Sequence, residues 1–273
     1  MKEFFGFGGY MREPEGFLSW QHILFVTALM IIMTASSIYL GRRYRNSDEK
    51  IKNKVLIVAA ILIDSFELFK IVLFCIRSNN PFDWLYSLPL FLCSIQLITI
   101  PLAAFSKGRV KEAALDFVFI FGLLGAVLGT YGAGNNYSCY PVLSFDNVVS
   151  GITHSISGFA SLYIAISGMA SMKRKNIPIT FAILFSFSIA AYIANILLDY
   201  NYMFLMRGDG TPYDIFYNLV GGNPVIYPII VVLLFVLYIV AFNSVYFYAT
   251  KKKHEITSES KDAESEKALA HVD

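Results

Sequence analysis

The chain has 273 residues and a formal net charge of +2, and 56% of its residues are hydrophobic while 15% are charged. A soluble domain carries about 25% charged residues, so this composition excludes an ordinary soluble protein. The charges stand in clusters between long apolar runs, as in polytopic membrane proteins, and we find no motif or compact basic region that predicts a nucleic-acid partner.

The apolar runs are long enough to cross a bilayer as helices, which takes about 20 residues each. We therefore predict an all-α polytopic membrane protein in which residues 1–250 form one domain of seven transmembrane helices. The predicted spans, in chain order, are 18–40, 55–76, 87–105, 112–130, 148–172, 177–200 and 224–249. Residues 251–273 are polar and of mixed charge, and we predict a disordered cytoplasmic tail there.

Basic residues mark every second connecting segment of the chain. The other connecting segments carry two arginines between them. By the positive-inside rule, the N-terminus lies outside and the C-terminus in the cytoplasm of a multi-pass protein of the cell membrane. Trp20 and His22, at the start of the first span, are expected at the level of the outer headgroups. The basic segments are 41–54, 106–111, 173–175 and 251–253.

The second predicted span carries three ionisable side chains, Asp64, Glu67 and Lys70. Such side chains are costly inside a membrane and usually face a cavity or one another. Glu67 and Lys70 are three residues apart on one helix and can therefore pair. The sequence leaves open whether that pair is structural or functional. Asp116, near the inner end of the fourth span, is expected to be a charge at the interface.

The third predicted span contains the stretch "SLPLFLCS" (residues 87–94), and we expect its helix to begin near Leu88 with Pro89 in the first turn. At about 1.5 Å per residue, Cys93 then lies roughly 8 Å below the outer helix end. His154 in the fifth span has the same depth, as do Glu67 and Lys70.

A histidine at the depth of a cysteine suggests nucleophilic chemistry. A neutral imidazole can take the thiol proton, and the thiolate can attack an acyl carbonyl, so Cys93 and His154 are the candidate catalytic residues. Other interpretations stay open: His154 can simply bridge helices, and Cys93 can be a small hydrophobic side chain. Cys75 and Cys139 both lie on the outer side and could form a disulfide or stay reduced.

The outer end of the sixth span and the segment after it supply the remaining candidates. Residues 201–223 are rich in Gly and Tyr, and we expect them to cap the polar layer or to bind a headgroup through Arg207; an ordinary surface charge is the alternative. Asn195 or Glu67 could orient the imidazole of His154. The supporting or substrate-binding candidates are Asp64, Glu67, Lys70, Asn195, Asp199, Asn201, Tyr202 and Arg207.

Three blocks occur in a fixed order along the chain: "LPLFLCS", "CYPVLSFDNVVSGITHSISGF" and "LLDYNYMFLMRGDGTPYDIFYNLVGGNPVIYPII". In these blocks the chain resembles the YwaF-like bacterial integral membrane proteins, which are similar to a eukaryotic seven-helix transmembrane phospholipid acyltransferase. The resemblance covers most of the chain, from Trp20 to about Tyr248. It implies that Cys93 accepts the acyl group and that His154 is its base. Phe91 is a departure, because family members often carry histidine two residues before the cysteine.

The leading hypothesis is therefore a membrane-embedded lipid acyltransferase, or a thioesterase-like hydrolase, whose partners are phospholipids or other acyl lipids. It requires no metal and no organic cofactor. The alternative is a transporter or small-molecule binding protein that uses Asp64, Glu67 and Lys70. A sensory or assembly subunit with residues 201–223 as its recognition surface is a third reading.

Overall fold

In the computed structural model the backbone is described for residues 2–269 and the side chains for residues 2–251. Every regular element in that part of the chain is a helix, which confirms the all-α prediction. Short 3₁₀ turns lie at Asp83–Ser87, Arg174–Asn176 and Tyr202–Phe204. The α-helices are α1 (Trp20–Tyr44), α2 (Glu49–Ser78), α3 (Gln96–Phe105), α4 (Gly108–Tyr131), α5 (Gly134–Cys139), α6 (Phe145–Ser167), α7 (Ile177–Leu198), α8 (Asp214–Leu219) and α9 (Ile226–Leu269).

Five helical segments within the described residues are long and apolar enough to cross a membrane, against the seven spans that the sequence predicts. The second predicted span is a helix of 30 residues, α2, but Asp64, Glu67 and Lys70 interrupt its apolar run. The third corresponds to α3, which has only 10 residues. The protein is thus a multi-pass membrane protein, and its orientation stays a prediction. The five segments are Trp20–Tyr44, Gly108–Cys139, Phe145–Ser167, Arg174–Leu198 and Ile226–Lys251.

The third predicted span is wrong in its first half, because α3 begins at Gln96 and not near Leu88. Leu88 is extended, with φ −60° and ψ 148°, as expected for a residue before proline. Bends and turns follow up to Ile95, whose N–H donates to the carbonyl of Phe91. Cys93 therefore lies in an irregular turn just before α3. Irregular backbone at membrane depth is tolerated where protein surrounds it or where it lines a cavity.

Small residues let α4 and α6 pack closely, as is common between membrane helices. A Cβ on Gly122 would lie 2.7 Å from the carbonyl oxygen of Ser157, and a Cβ on Gly158 would lie 2.7 Å from the Cβ of Ala126. The hydroxyl of Ser157 donates to the carbonyl of Gly122 over 3.3 Å, so this serine joins the two helices. Since α6 also contacts α1, α2 and α3, it is the helix around which the candidate site is built.

The ends of α6 are set by local sequence. Ser144 is its N-cap, and the side chain accepts a hydrogen bond from the backbone N–H of Asn147. Gly168 ends the helix with φ 76°, a left-handed conformation that glycine adopts without strain. These caps determine where α6 begins and ends, and His154 lies nine residues after its first residue.

Two polar side chains expected at the membrane surface are buried instead. His22 is fully buried: its Nδ1 accepts from the N–H of Leu18 and its Nε2 lies 3.1 Å from the carbonyl oxygen of Thr130, while Trp20 remains 71% exposed. Asp116 is 3% exposed, and its carboxylate accepts hydrogen bonds from Ser171, Met172 and Asn176. Both groups find donors or acceptors inside the protein, which is the condition for burying them.

The chain divides into two compact units, Met1–Val231 and Val232–Asp273, and every predicted site residue belongs to the first. The last helix, α9, continues to Leu269, into the segment for which the sequence predicts a disordered tail. Residues 270–273 lie outside the described residues. The division of the chain at residue 250 stays a prediction.

Candidate functional site

A small cavity lies between α2, the start of α3 and α6, and both Cys93 and His154 line it. Its volume is about 50 Å³. A cavity needs about 10–15 Å³ to hold one water molecule, so this one has room for several, or for an ester carbonyl group. Its lining is mostly polar and consists of Ile63, Glu67, Lys70, Cys93, Ser94, Leu97, Ser150, Thr153, His154 and Ser157.

Two glycines of α4 form the surface against which Cys93 and His154 lie. A Cβ on Gly125 would lie 3.4 Å from the Cβ of Cys93, in ordinary contact. A Cβ on Gly129 would lie 2.5 Å from Nε2 of His154 and closer still to Nδ1 and Cε1, so only glycine fits beneath this ring. Residues four apart on a helix lie one above the other. Cys93 and His154 therefore occupy adjacent turns of the same glycine face.

The thiol and the imidazole share the cavity without a direct hydrogen bond between them. Among the described residues, no hydrogen bond to either ring nitrogen of His154 is found, and both Cys93 and His154 are partly exposed. The roles of nucleophile and base stay predictions. Catalytic hydrogen bonds are commonly long in a free enzyme and tighten around the substrate.

The predicted pair of Glu67 and Lys70 is formed, and it lines the cavity. Nζ of Lys70 lies 2.7 Å from Oε1 and 2.8 Å from Oε2 of Glu67. The side chain of Glu67 is 13% exposed and that of Lys70 is 27% exposed. An ion pair this sheltered from solvent holds the ammonium group in one place beside Cys93 and His154.

Three other predicted residues are not brought to the cavity. Asp64 is half-buried on α2 but does not line it, and Asp199 is exposed at the end of α7. Asn195 is buried, and its amide forms two hydrogen bonds with the backbone of Tyr202. Nδ2 donates to the carbonyl of Tyr202 over 3.0 Å, and Oδ1 accepts from its N–H over 2.6 Å. An amide so engaged is not available to orient His154.

The segment after α7, which the sequence predicts to face outside and which is called here the outer segment, is held together around Asn201. The Asn201 amide donates to the carbonyl of Arg207 over 2.8 Å and to Asp209 over 2.7 Å, and its oxygen accepts from the N–H of Met206 over 2.9 Å. Nε of Arg207 lies 2.7 Å from Oδ1 of Asp209. The headgroup-binding role predicted for Arg207 would have to compete with this exposed ion pair.

Tyr202 links that outer segment to the turn that carries Cys93. Its hydroxyl donates to the carbonyl of Leu85 and accepts from the N–H of Leu88 over 3.2 Å. Its ring also packs against Phe91, with centroids 5.2 Å apart. Tyr202 thus positions the chain five residues before Cys93 without reaching the cavity itself.

Phe91, two residues before Cys93, faces an aromatic cluster and not the cavity. Its ring lies 6.3 Å from Tyr200, 5.2 Å from Tyr202 and 5.9 Å from Phe204, measured between centroids. The side chain at this position therefore contributes packing to the outer segment, and it has no proton to exchange with Cys93.

Several residues of the site were missed by reasoning from the sequence. Ser94, Ser150 and Thr153 add hydroxyl groups to the cavity wall. Ser150 lies one helical turn before His154, so the spacing of four residues on a helix could have found it. The three cysteines are all free, and no group of three or more His, Cys, Asp or Glu side chains in the described part of the chain could hold a metal ion.

Comparison with known proteins identifies one family. A family model described as the TMEM164 family matches residues 17–251, which include the whole lining of the cavity. No curated protein and no solved structure matches the chain. The match shows that the chain falls in a membrane protein family. It does not support the YwaF-like name, and it assigns no activity.

Proposed function

We propose that this chain, which belongs to the TMEM164 family of membrane proteins, is a membrane-embedded acyltransferase that moves lipid acyl chains through Cys93 and His154. The observation that carries the proposal is the cavity of about 50 Å³ that a cysteine thiol and a histidine imidazole line together. The resemblance to YwaF-like proteins of the cell membrane supports the same activity and the same two residues.

In the first half-reaction, His154 takes the proton of the Cys93 thiol, and the thiolate attacks the ester carbonyl of a donor lipid. The C–S bond forms as the carbonyl π electrons move to oxygen. When the tetrahedral intermediate collapses, the ester C–O bond breaks and the lipid alcohol leaves with the proton from His154. The products are an acyl-thioester on Cys93 and a deacylated lipid.

In the second half-reaction, the hydroxyl of an acceptor lipid replaces the first alcohol. His154 takes the hydroxyl proton, the oxygen attacks the thioester carbonyl, and the C–S bond breaks. The released thiolate recovers its proton from His154. Water as the acceptor would give a free fatty acid, which is the hydrolase form of the same chemistry.

Lys70 is the group best placed to stabilise the negative charge that develops on the carbonyl oxygen. Its ammonium carries three N–H donors, and Glu67 holds it in place at the wall of the cavity. Removing one donor from an oxyanion site typically lowers the rate by about 10²–10³.

The direct test is mass spectrometry of the purified full-length protein after incubation with phospholipid vesicles. We expect a mass increase equal to one acyl chain on Cys93, its loss in Cys93→Ala, and slower formation in His154→Gln. Cys75→Ser is the matched control, because Cys75 is also a free, half-buried cysteine but does not line the cavity. If lipid turnover and adduct are the same in Cys93→Ala and in the wild type, the proposal is wrong.

A second candidate function is transport or binding of a small solute at the same cavity. The observation that favours it is the Glu67–Lys70 pair, together with the hydroxyls of Ser150 and Thr153 in the cavity wall. Solute uptake into proteoliposomes that survives Cys93→Ser and is lost in Glu67→Gln would support it. Absence of uptake together with an acyl adduct that depends on Cys93 would support acyl transfer.

A further inference from the structure

The segment before α1 crosses the ends of α2 and α6 that the positive-inside rule predicts to face outside, called here the outer ends. The carbonyl of Phe4 accepts from the N–H of Phe145 over 3.0 Å. The carbonyl of Phe5 accepts from Nη1 of Arg77 over 3.2 Å. Residues 4–10 are thus tied to the last turn of α2 and to the first turn of α6.

An ion pair between α2 and α6 anchors this segment. Arg77 donates to both carboxylate oxygens of Asp146, each over 2.7 Å, and the hydroxyl of Tyr10 donates to Oδ2 of Asp146. Burial and the Asp146 carboxylate raise the pKa of Tyr10 to about 12, so its hydroxyl keeps its proton at neutral pH. Gly6 has φ 70°, and a Cβ on it would lie 2.6 Å from Nη1 of Arg77.

Beside the ion pair, the segment contributes a phenylalanine to an apolar layer in which Phe5 is partly buried and Phe69 is 50% exposed. The ring of Phe5 lies 5.3 Å from that of Phe145 and 6.4 Å from that of Phe69, measured between centroids. It packs against the buried cluster that contains Leu73, Phe145 and Val149. These rings belong to α2, to α6 and to the N-terminal segment, so none of the three elements closes the layer alone.

Part of this layer lies outward of the cavity on both helices, whereas Phe69 and Val149 stand next to Lys70 and Ser150 in the chain and lie at the depth of the cavity. On α2, Leu73 comes one turn after Lys70, which lines the cavity. On α6, Asp146 comes one turn before Ser150 and two turns before His154, which also line it. At about 1.5 Å per residue, the anchoring carboxylate stands roughly 6 Å outward of the cavity wall.

We propose that residues 4–10 are a removable lid that closes the outer end of the cavity and regulates access of lipid to Cys93. The biological role of the lid rests on the proposed function. Whether residues 4–10 limit access of a reagent to Cys93 does not depend on that function. Phe5 fills apolar space beside Phe69 and Phe145, and an acyl chain offers the same kind of contact. An incoming lipid can therefore displace the ring and open the route to the thiol.

The test measures access to Cys93 in the full-length protein, in a Cys75→Ser, Cys139→Ser background. The probe is a cationic methanethiosulfonate reagent, and the rate of modification is followed by mass spectrometry. We expect Tyr10→Phe to speed modification about tenfold, the shift in an opening equilibrium expected from losing one hydrogen bond to a charged group. Phe5→Ala should also speed it, because it opens the apolar layer.

Arg12→Gln is the matched control. It removes the ion pair of Arg12 with Glu15 in the same N-terminal segment, while the Arg77–Asp146 pair and the hydrogen bond from the N–H of Val142 to Glu15 remain. The lid is supported if Tyr10→Phe and Phe5→Ala raise the rate and Arg12→Gln does not. It is overturned if both lid variants, folded by their melting temperatures, react at the wild-type rate. Because modification needs no catalysis, this result is independent of whether Cys93 forms an acyl-thioester.

Discussion

Gly129→Ala is the substitution that most directly tests the placement of His154. The new Cβ would lie 2.5 Å from Nε2 of His154, whereas ordinary contact begins at 3.4 Å. The ring must therefore move by about 1 Å, and a displacement of that size can lower a rate by roughly 10²-fold. Overpacking of this kind also costs about 1–3 kcal/mol of stability. We expect slow formation of the acyl adduct on Cys93 and a modest drop in melting temperature.

The control is the same substitution one turn away on the same helix. A Cβ on Gly125 would lie 3.4 Å from the Cβ of Cys93, which is ordinary van der Waals contact. Gly125→Ala should therefore keep most of the single-turnover rate, while Gly129→Ala loses it. Equal rates for Gly129→Ala and the wild type would refute the reasoning, because the rate would then not depend on the present position of the His154 ring.

Asn195→Ala removes both hydrogen bonds to the Tyr202 backbone, and leaving those buried groups unpaired should lower the free energy of unfolding by about 2–4 kcal/mol. A selective loss of rate at an unchanged melting temperature would contradict this structural role. Lys70→Met should slow adduct formation on Cys93 by about 10²–10³ if Lys70 stabilises the oxyanion, and an unchanged rate would exclude that role. Phe91→His should change the rate less than about threefold, since position 91 is two residues from the nucleophile but does not line the cavity. A large gain in single-turnover rate would show that a histidine there reaches the thiol.

Much of the helical framework could be read from the sequence, because a helix is made by hydrogen bonds between residues four apart and by an apolar composition. The Glu67–Lys70 pair follows from the same local geometry. Depth is also local, since it is a count of residues at a constant rise. That count holds for His154 on α6, but for Cys93 it assumed a helix from near Leu88 that the structure does not contain. The two side chains line the same cavity because of how the irregular turn packs.

What the sequence alone did not decide is which face of each helix meets which neighbour. Asn195 also lies near the outer end of its helix, yet its amide binds the backbone of Tyr202 and not His154. The turn from Leu88 to Ile95 looks like helix by composition, but Pro89 and the contacts of Tyr202 hold it irregular. Rotation of helices and the shape of a turn depend on contacts between residues far apart in the chain.

The segment proposed as a lid shows most clearly the difference between what local sequence determines and what long-range contacts determine. By its sequence, the segment before α1 is a mixture of aromatics, glycine and charge at the membrane surface. Its position across the ends of α2 and α6 depends on Tyr10 and Asp146, which are 136 residues apart, and on the pairing of Asp146 with Arg77 across two helices. Local hydrogen bonding and hydropathy determine most of the helices. Only long-range packing determines that the N-terminal segment, α2 and α6 meet at this ion pair.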